Sequence, residues 1–549
     1  MKQPKQRTYI SGDSQTPAQA GSEVQPEIGD KPSRRLACAV SLHLQGKTEE
    51  ALREVLSAVE NGEAGAELYA AMGQLQFELR QYEQAAQSFR RLIDVEPDSL
   101  LGHLDLAICL EKLSRWEEGH QEFRRALNVD PDRLEARLGL AVCLLHTERA
   151  EEAVQIFGEC LEREPGLEAA EFGKAVALQL VGRAEEAGET YRRILARNPQ
   201  SAETLANLIA MGIQKKDHEQ AALYARQLLA LQPGSQVALE GLATCAFAAG
   251  DYDSAAKYCA ELVEIRPDHF EAWFNLGVAQ QKLNRHNSAI QSYHRARTMR
   301  PESPEVCLNL GISYQEVGEL EKAREAHEGA LRLAPRVPAC LWNLGLVAEQ
   351  SGDREGAESL FMQLLEVDPN WEDAWFRLGY LRLKSGNFAG SVFAFEECLR
   401  RRSPWSEASL NLGIAHWKLG DLAAARQALQ EVHTGQPESL EALRGLATLA
   451  LESEDYEESL GFYKELIDAG EKSPQVYYNT ALLLQNGGQH DQAAEYYRKA
   501  ISEEPAFAEA LLNLGHALKA LGQEEEARAC WQKALEAKPE LAQGYFRAS

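Results

Sequence analysis

Seven asparagines fall on one register. Asn207, Asn275, Asn309, Asn343, Asn411, Asn479 and Asn513 are separated by whole multiples of 34 residues, with Arg377 interrupting the series. An asparagine amide carries donors and an acceptor. A column of them at constant spacing can clamp the backbone amides of an extended peptide without reading its side chains. Directly before this register stand Phe274, Trp342, Phe376 and Tyr478, with Phe172, Leu308, Leu410 and Leu512 in other periods. Tyr380 and Trp417 follow within the same periods, each close to a lysine, Lys384 and Lys418. Aromatic side chains are favoured anchors for a bound polypeptide. The two lysines with Arg377 add local positive charge that suits an acidic or carboxylate-bearing peptide. Each feature also has a plainer account: asparagine is a soluble residue tolerated beside a Leu-Gly pair, and the aromatics could pack between neighbouring helices.

No comparable pattern serves catalysis. The 13 histidines are scattered, and the chain holds no HExxH, no nucleophile elbow and no glycine-rich phosphate loop. Carboxylate pairs abound, as an acidic helical chain requires, and spacing alone promotes none of them to acid–base work. The chain is therefore expected not to be an enzyme and to need no cofactor or metal.

The element that must position the asparagines is a repeat. Pro97, Pro131, Pro165, Pro199, Pro233, Pro267, Pro301, Pro335 and Pro369 are spaced 34 apart without a slip, and such a period marks a repeat architecture. Counting from Phe270 as position 1, apolar residues at 4, 7 and 11 form one helical stripe and those at 20, 24 and 27 a second. Position 8 is Gly or Ala in every frame except at Ile209, and position 20 is Ala, Gly or Ser from Ala51 to Ala527. Small residues there let two helix backbones approach, with an aromatic at 24 (Phe89, Phe123, Phe157, Phe361, Phe395, Trp531) filling the space beside them. A frequent glycine near position 15 (Gly182, Gly250, Gly318, Gly352, Gly386, Gly522) supplies a left-handed helix cap. Proline at 32 ends the second helix. In the frame from Leu440 that proline is replaced by Glu471, so its second helix is expected to run long or to end in a looser loop.

This pattern resembles the tetratricopeptide repeat over residues 32 to 541, in fifteen consecutive frames. The resemblance implies an all-α, right-handed superhelical solenoid of about fifteen stacked helix-turn-helix units, whose first helices line a concave wall. It also implies that positions 2, 5, 6, 9, 12 and 13 face the groove. The asparagine column at position 6 is similar to that of the O-linked N-acetylglucosamine transferases, where it holds substrate polypeptides. The acids at position 2, among them Glu67, Glu135, Glu203, Glu271, Glu305, Asp373, Glu407 and Glu441, are better read as favouring the positive helix end than as a track for a basic ligand.

Residues 1–31 are rich in Gln, Ser, Gly and Pro and are expected to be a disordered tail rather than a signal peptide. Residues 542–549 read as the start of a capping helix or a truncated sixteenth repeat, with Tyr545 at position 4. No apolar run is long enough to span a bilayer, which makes the cytoplasm the default expectation. A net charge of −27 among 549 residues argues against non-specific nucleic-acid binding. The ten cysteines include no CxxC pair, and most occupy packing positions (Cys109, Cys143 and Cys245 at 10, Cys160 and Cys398 at 27). They read as small buried hydrophobes in a reducing compartment.

The chain is thus expected to be a protein–protein interaction scaffold that holds an extended peptide or a partner helix in its groove. Its site residues would be Asn207, Asn275, Asn309, Asn343, Arg377, Asn411, Asn479 and Asn513 as clamps, with Phe274, Trp342, Phe376, Tyr380, Trp417 and Tyr478 as anchors. The alternative is a substrate-presenting module of a glycosyltransferase or other enzyme whose catalytic part lies outside this chain. Self-association through an uncapped end repeat is a third expectation.

Overall fold

The computed structural model describes residues 34–544; the expected tail and Tyr545 lie outside them. Among the described residues there are thirty α-helices, from Arg34–Leu44 to Glu524–Ala537, followed by a 3₁₀ turn at Pro539–Gly544. No strand occurs among them. Most helices have 13 or 14 residues, and they alternate as first and second members of helix-turn-helix pairs; within each compact unit of the chain, each helix packs on the next in chain order. The chain divides into two compact units, residues 1–285 and 286–549. The division falls between the helices Phe270–Lys282 and His286–Met299.

The turn inside each unit is built by one backbone conformation. Every residue at position 15 has a positive φ, from Gly46 at 77° to Gly522 at 79°. Nine of the fifteen are glycine. The other six, Arg80, Ser114, Glu148, Lys216, Asn284 and Glu454, hold φ between 57° and 60°. An aspartate or asparagine often follows and caps the second helix: the side chains of Asp251, Asp353 and Asn387 accept from the backbone N–H three residues on. At the repeat junction Ser99, Ser235, Ser303, Ser439 and Ser473 cap the first helices in the same way.

Proline at 32 has a further consequence. Its free carbonyl accepts from the side chain at position 4 of the following helix. Trp273 Nε1 donates to Pro267 O at 3.0 Å, Trp375 Nε1 to Pro369 O at 2.9 Å, and Arg137 to Pro131 O at 2.6 Å. One side chain thus ties each of these first helices to the end of the preceding repeat.

Of the two outcomes expected for the frame from Leu440, a long second helix is not the one observed. That helix, Tyr456–Asp468, is a residue shorter than most, and Gly470 turns the chain away at φ 96°. Glu471 takes the proline's place by pairing with Arg444 of its own repeat. A left-handed glycine and an ion pair therefore stop this helix where proline stops the others.

In each unit the core is a file of position-24 side chains: Phe89, Phe123, Phe157 and Tyr191 in the first, Phe361, Phe395 and Tyr497 in the second, all fully or almost fully buried. A Cβ on Gly345 would stand 2.5 Å from the Phe361 ring, and one on Gly379 2.9 Å from Phe395. The small residue at 8 therefore opens a socket for the ring at 24. The Ile209 exception inverts the pair: its position-24 partner is Ala225, and Gly241 of the following repeat leaves room for the isoleucine. All ten cysteines are free. Eight are buried as expected, but Cys38 is exposed and Cys530 half-buried, because terminal repeats lack a neighbour on one side. Among the described residues no helix is long and apolar enough to cross a membrane.

Candidate functional site

Four adjacent first helices of the second unit carry most of the residues in question: Pro304–Glu316, Pro338–Gln350, Glu372–Ser385 and Ser406–Leu419. Position 6 on such a helix sits just before the Leu-Gly pair that enters the core. It faces partly outward and partly toward position 24 of the preceding repeat. The first unit shows this most directly: a Cβ on Gly139 would lie 2.1 Å from Phe123, and one on Gly173 2.3 Å from Phe157. Where position 6 is asparagine, the same proximity decides what its amide does.

Asn207 is buried, 5 % exposed, and its Nδ2 has no partner. It does not line an open face, contrary to the sequence expectation, because its position turns into the repeat junction. Asn479 donates to the Tyr463 hydroxyl at 3.0 Å and accepts from Gln475 at 2.9 Å. Tyr463 is the position-24 ring of the preceding repeat. Asn513 donates to the Tyr478 hydroxyl at 3.0 Å. Asn309 and Asn411 return their amides to the helix, donating to Glu305 O at 3.1 Å and Glu407 O at 2.9 Å. Besides the buried Asn207, Asn275, exposed in the first unit, and Asn343, half-buried in the second, keep amides without a side-chain hydrogen bond. The seven asparagines are therefore not one uniform ladder.

The aromatics divide as well. Trp342 is half-buried with its ring 5.5 Å from Phe361 and stacked on Trp371 at 5.7 Å. Phe376 lies 5.8 Å from Phe395 and stacks on Trp405 at 4.7 Å. Tyr478 lies 5.8 Å from Tyr497 and 5.0 Å from Phe507. Each position-5 ring thus rests on the position-24 ring of its own repeat and on an aromatic at position 34. Such pairs add about 0.5–1.5 kcal/mol beyond burial, so these three are packing residues that show one side to solvent. Phe274, in the first unit, is likewise half-buried, with its ring 6.0 Å from Phe270. Trp371, Trp405 and Phe507 escaped sequence reasoning. Their signal was present, since each replaces the serine that caps other first helices at that position.

Tyr380 and Trp417 are half-buried and carry cations on their faces. Lys384 Nζ lies 5.3 Å from the Tyr380 centroid and Lys418 Nζ 5.1 Å from that of Trp417. Trp417 Nε1 also donates to Glu452 at 2.7 Å, on the next first helix. Arg377 is not a free cation: both Glu349 carboxylate oxygens lie within 3.3 and 3.4 Å of it. Lys384 and Lys418 are thus the cations that meet no carboxylate here. Burial pushes the Tyr478 hydroxyl up from its ordinary value, against the lowering effect of the Asn513 donor. Among the described residues no three His, Cys, Asp or Glu side chains are grouped to hold a metal ion.

Comparison with known proteins bears on the repeat itself. Family models described as tetratricopeptide repeat match residues 70–119, 104–168, 308–374, 376–434 and 410–474, then 213–280, 246–292 and 484–546, and finally 32–55. Together they cover well over half of the chain. It belongs to the tetratricopeptide repeat family. No curated protein matches this tetratricopeptide chain over its sequence. Among solved structures it is similar to the Cut9–Hcn1 hetero-tetramer of the APC/C, at 13% identity and TM-score 0.32, over 83% of this chain and 97% of that one. It is similar to YrrB, described as a tetratricopeptide protein with an unusual peptide-binding site, at 18% identity and TM-score 0.32, over 35% and 98% of the chains. A third is PilF of Pseudomonas aeruginosa, at 20% identity and TM-score 0.33, over 37% and 93%.

Proposed function

We propose that this tetratricopeptide protein is a non-catalytic interaction scaffold, and that the first-helix face of its second unit holds an extended polypeptide. The observation that carries the reading is the run from Asn343 to Lys418. One unengaged amide, two half-exposed rings (Tyr380, Trp417) and two cations without carboxylates share adjacent first helices. Asn343 supplies backbone recognition and the rings supply apolar anchoring. Lys384 and Lys418 favour acidic residues in the ligand. Trp342 and Phe376 contribute a floor rather than independent anchors, because their rings are already paired. The cytoplasm remains the compartment that this reading assumes.

The test is a triple variant, Asn343→Ala with Tyr380→Ala and Trp417→Ala, assayed against polypeptides recovered with the wild-type protein and then resynthesised. Affinity is expected to fall at least about a hundredfold, since each anchor is worth 1 kcal/mol or more. Circular dichroism should stay near wild type. Retained affinity in a folded triple variant would overturn the assignment.

A further inference from the structure

One repeat of the second unit breaks the residue pattern three times, and the structure brings the three breaks together. Position 22 in the other second helices of this unit is Gln, Glu, Ser, Gly or Ala, but in the repeat starting at Glu372 it is Phe393. Phe393 is 53% exposed. Position 4, elsewhere in the unit Cys, Leu, Ser or Tyr, is Trp375. Positions 29 to 31 are Arg400, Arg401 and Arg402, a triplet that no other repeat carries. The Trp375 ring lies 5.8 Å from Phe393, edge to face, and the Arg401 guanidinium sits 5.2 Å from the centre of the same ring.

Neighbouring contacts hold this cluster in place. Trp375 is pinned through Nε1 to Pro369 O. Arg382 bonds Glu358 at 2.8 Å and reaches both Met362 Sδ and Gly390 O, at the start of the helix that carries Phe393. Met362 is itself exposed. Charge is not balanced here. Arg400 and Arg401 share the single carboxylate of Glu397, while Arg402 lies over the Trp405 ring, 4.4 Å from its centroid, with Asp373 as its carboxylate at 3.7 Å. Three guanidinium groups meet two carboxylates, in a chain whose net charge is −27.

We infer that Phe393, Trp375 and the Arg400–Arg402 triplet form a second docking point, on the second-helix side of this repeat, for a partner segment that sets a carboxylate beside an apolar side chain. The exposed Phe393 ring, backed by Trp375, receives the apolar group. Arg400, whose side chain is 68% exposed, receives the carboxylate that Glu397 cannot supply twice. An exposed large ring costs the free protein apolar hydration that docking recovers. Position 22 has no packing need for phenylalanine, since Ser359 and Gln427 serve there in flanking repeats.

The probe is a fluorescein-labelled amphipathic peptide of Leu and Glu, with a Leu and Lys peptide as control, titrated by anisotropy against the full chain. The Leu–Glu peptide should bind, and Phe393→Ser and Arg400→Ser should each weaken it about tenfold or more. Leu223→Ser, an exposed apolar residue at the same repeat position in the first unit, should leave it unchanged. Both substitutions are at exposed positions, and circular dichroism checks that the variants fold. The inference is overturned by equal binding of the Leu–Lys peptide, by an unchanged affinity in Phe393→Ser, or by an equal loss of binding in Leu223→Ser. Sedimentation showing a dimer that Phe393→Ser dissolves would also overturn it, because the occupant would then be a second copy.

Discussion

His327 stands at position 24, where neighbouring repeats place Phe361 and Phe395. It is fully buried, with both ring nitrogens lacking a partner, and a Cβ on Gly311 would lie 2.4 Å from its ring. It occupies an aromatic socket while leaving its polar atoms unpaired, which typically costs about 1–3 kcal/mol per group. Burial pushes its pKa down to about 4. Between the ordinary histidine value near 6.5 and about 4, the unfolded chain therefore binds one proton more than the folded one. Stability in that window rises with pH, by at most about 1.4 kcal/mol per unit, and is lost on acidification. Urea melts across pH 4 to 7 should show this slope in wild type and a shallower one in His327→Phe, which should also be more stable at pH 7. Equal slopes would show that His327 is not the titrating group. A second expectation concerns position 6, which meets the ring of the preceding repeat: Gly173→Ala should destabilise by about 1–3 kcal/mol, because the new methyl meets the Phe157 ring. At this scale the sequence was half legible. The Gly-and-ring pairing showed in the composition of positions 8 and 24. The partners of the asparagines did not, because a residue's register on its own helix says nothing about which hydroxyl the preceding repeat presents to it.

Among the elements, the left-handed turn residue is the most uniform feature. A glycine there was expected from six examples, and positive φ extends to all fifteen turns, including the six without glycine. The connection length imposes the conformation, and the residue type only sets its cost. Left-handed backbone costs a non-glycine residue about 1–2 kcal/mol, partly offset by the extra freedom glycine has when unfolded. Glu148→Gly and Lys216→Gly should therefore raise stability by several tenths to about 1 kcal/mol each, while Asn284→Gly should gain least. Chemical denaturation of the three single variants reads this directly, and destabilisation in all three would refute it. The aromatics at position 34 were missed at this same scale. A serine there caps a helix through local hydrogen bonds, and Trp371, Trp405 and Phe507 give up the cap to stack on position-5 rings. Sequence shows the missing cap, whereas the ring contact depends on how a junction folds back over its own repeat.

Within each unit, contacts run mainly from each helix to its sequence neighbours, so the stability of a unit is close to a sum of local terms. Phe361→Ala removes a fully buried ring and should cost about 3–5 kcal/mol. Hydrogen exchange is expected to rise in Pro338–Gln350, Arg354–Val367 and the helices beside them, with protection in Leu100–Lys112 unchanged. Uniform loss of protection along the chain would contradict a sum of local terms. The repeat period was legible throughout because every frame solves the same packing problem. The binding face was less so, because half-buried rings and amides serve packing and recognition with the same residue types.

The functional reading rests on the first-helix face of the second unit, and site-specific photo-crosslinking in cells tests it most directly. A photoreactive residue is placed at Tyr380, on that face, and in a parallel protein at Gln427, on a second helix. Covalent adducts with a polypeptide are expected from the Tyr380 position, and they should vanish when Asn343→Ala and Trp417→Ala are added. Adducts from Gln427 alone, or adducts from Tyr380 that survive both substitutions, would contradict a ligand held on the first-helix face.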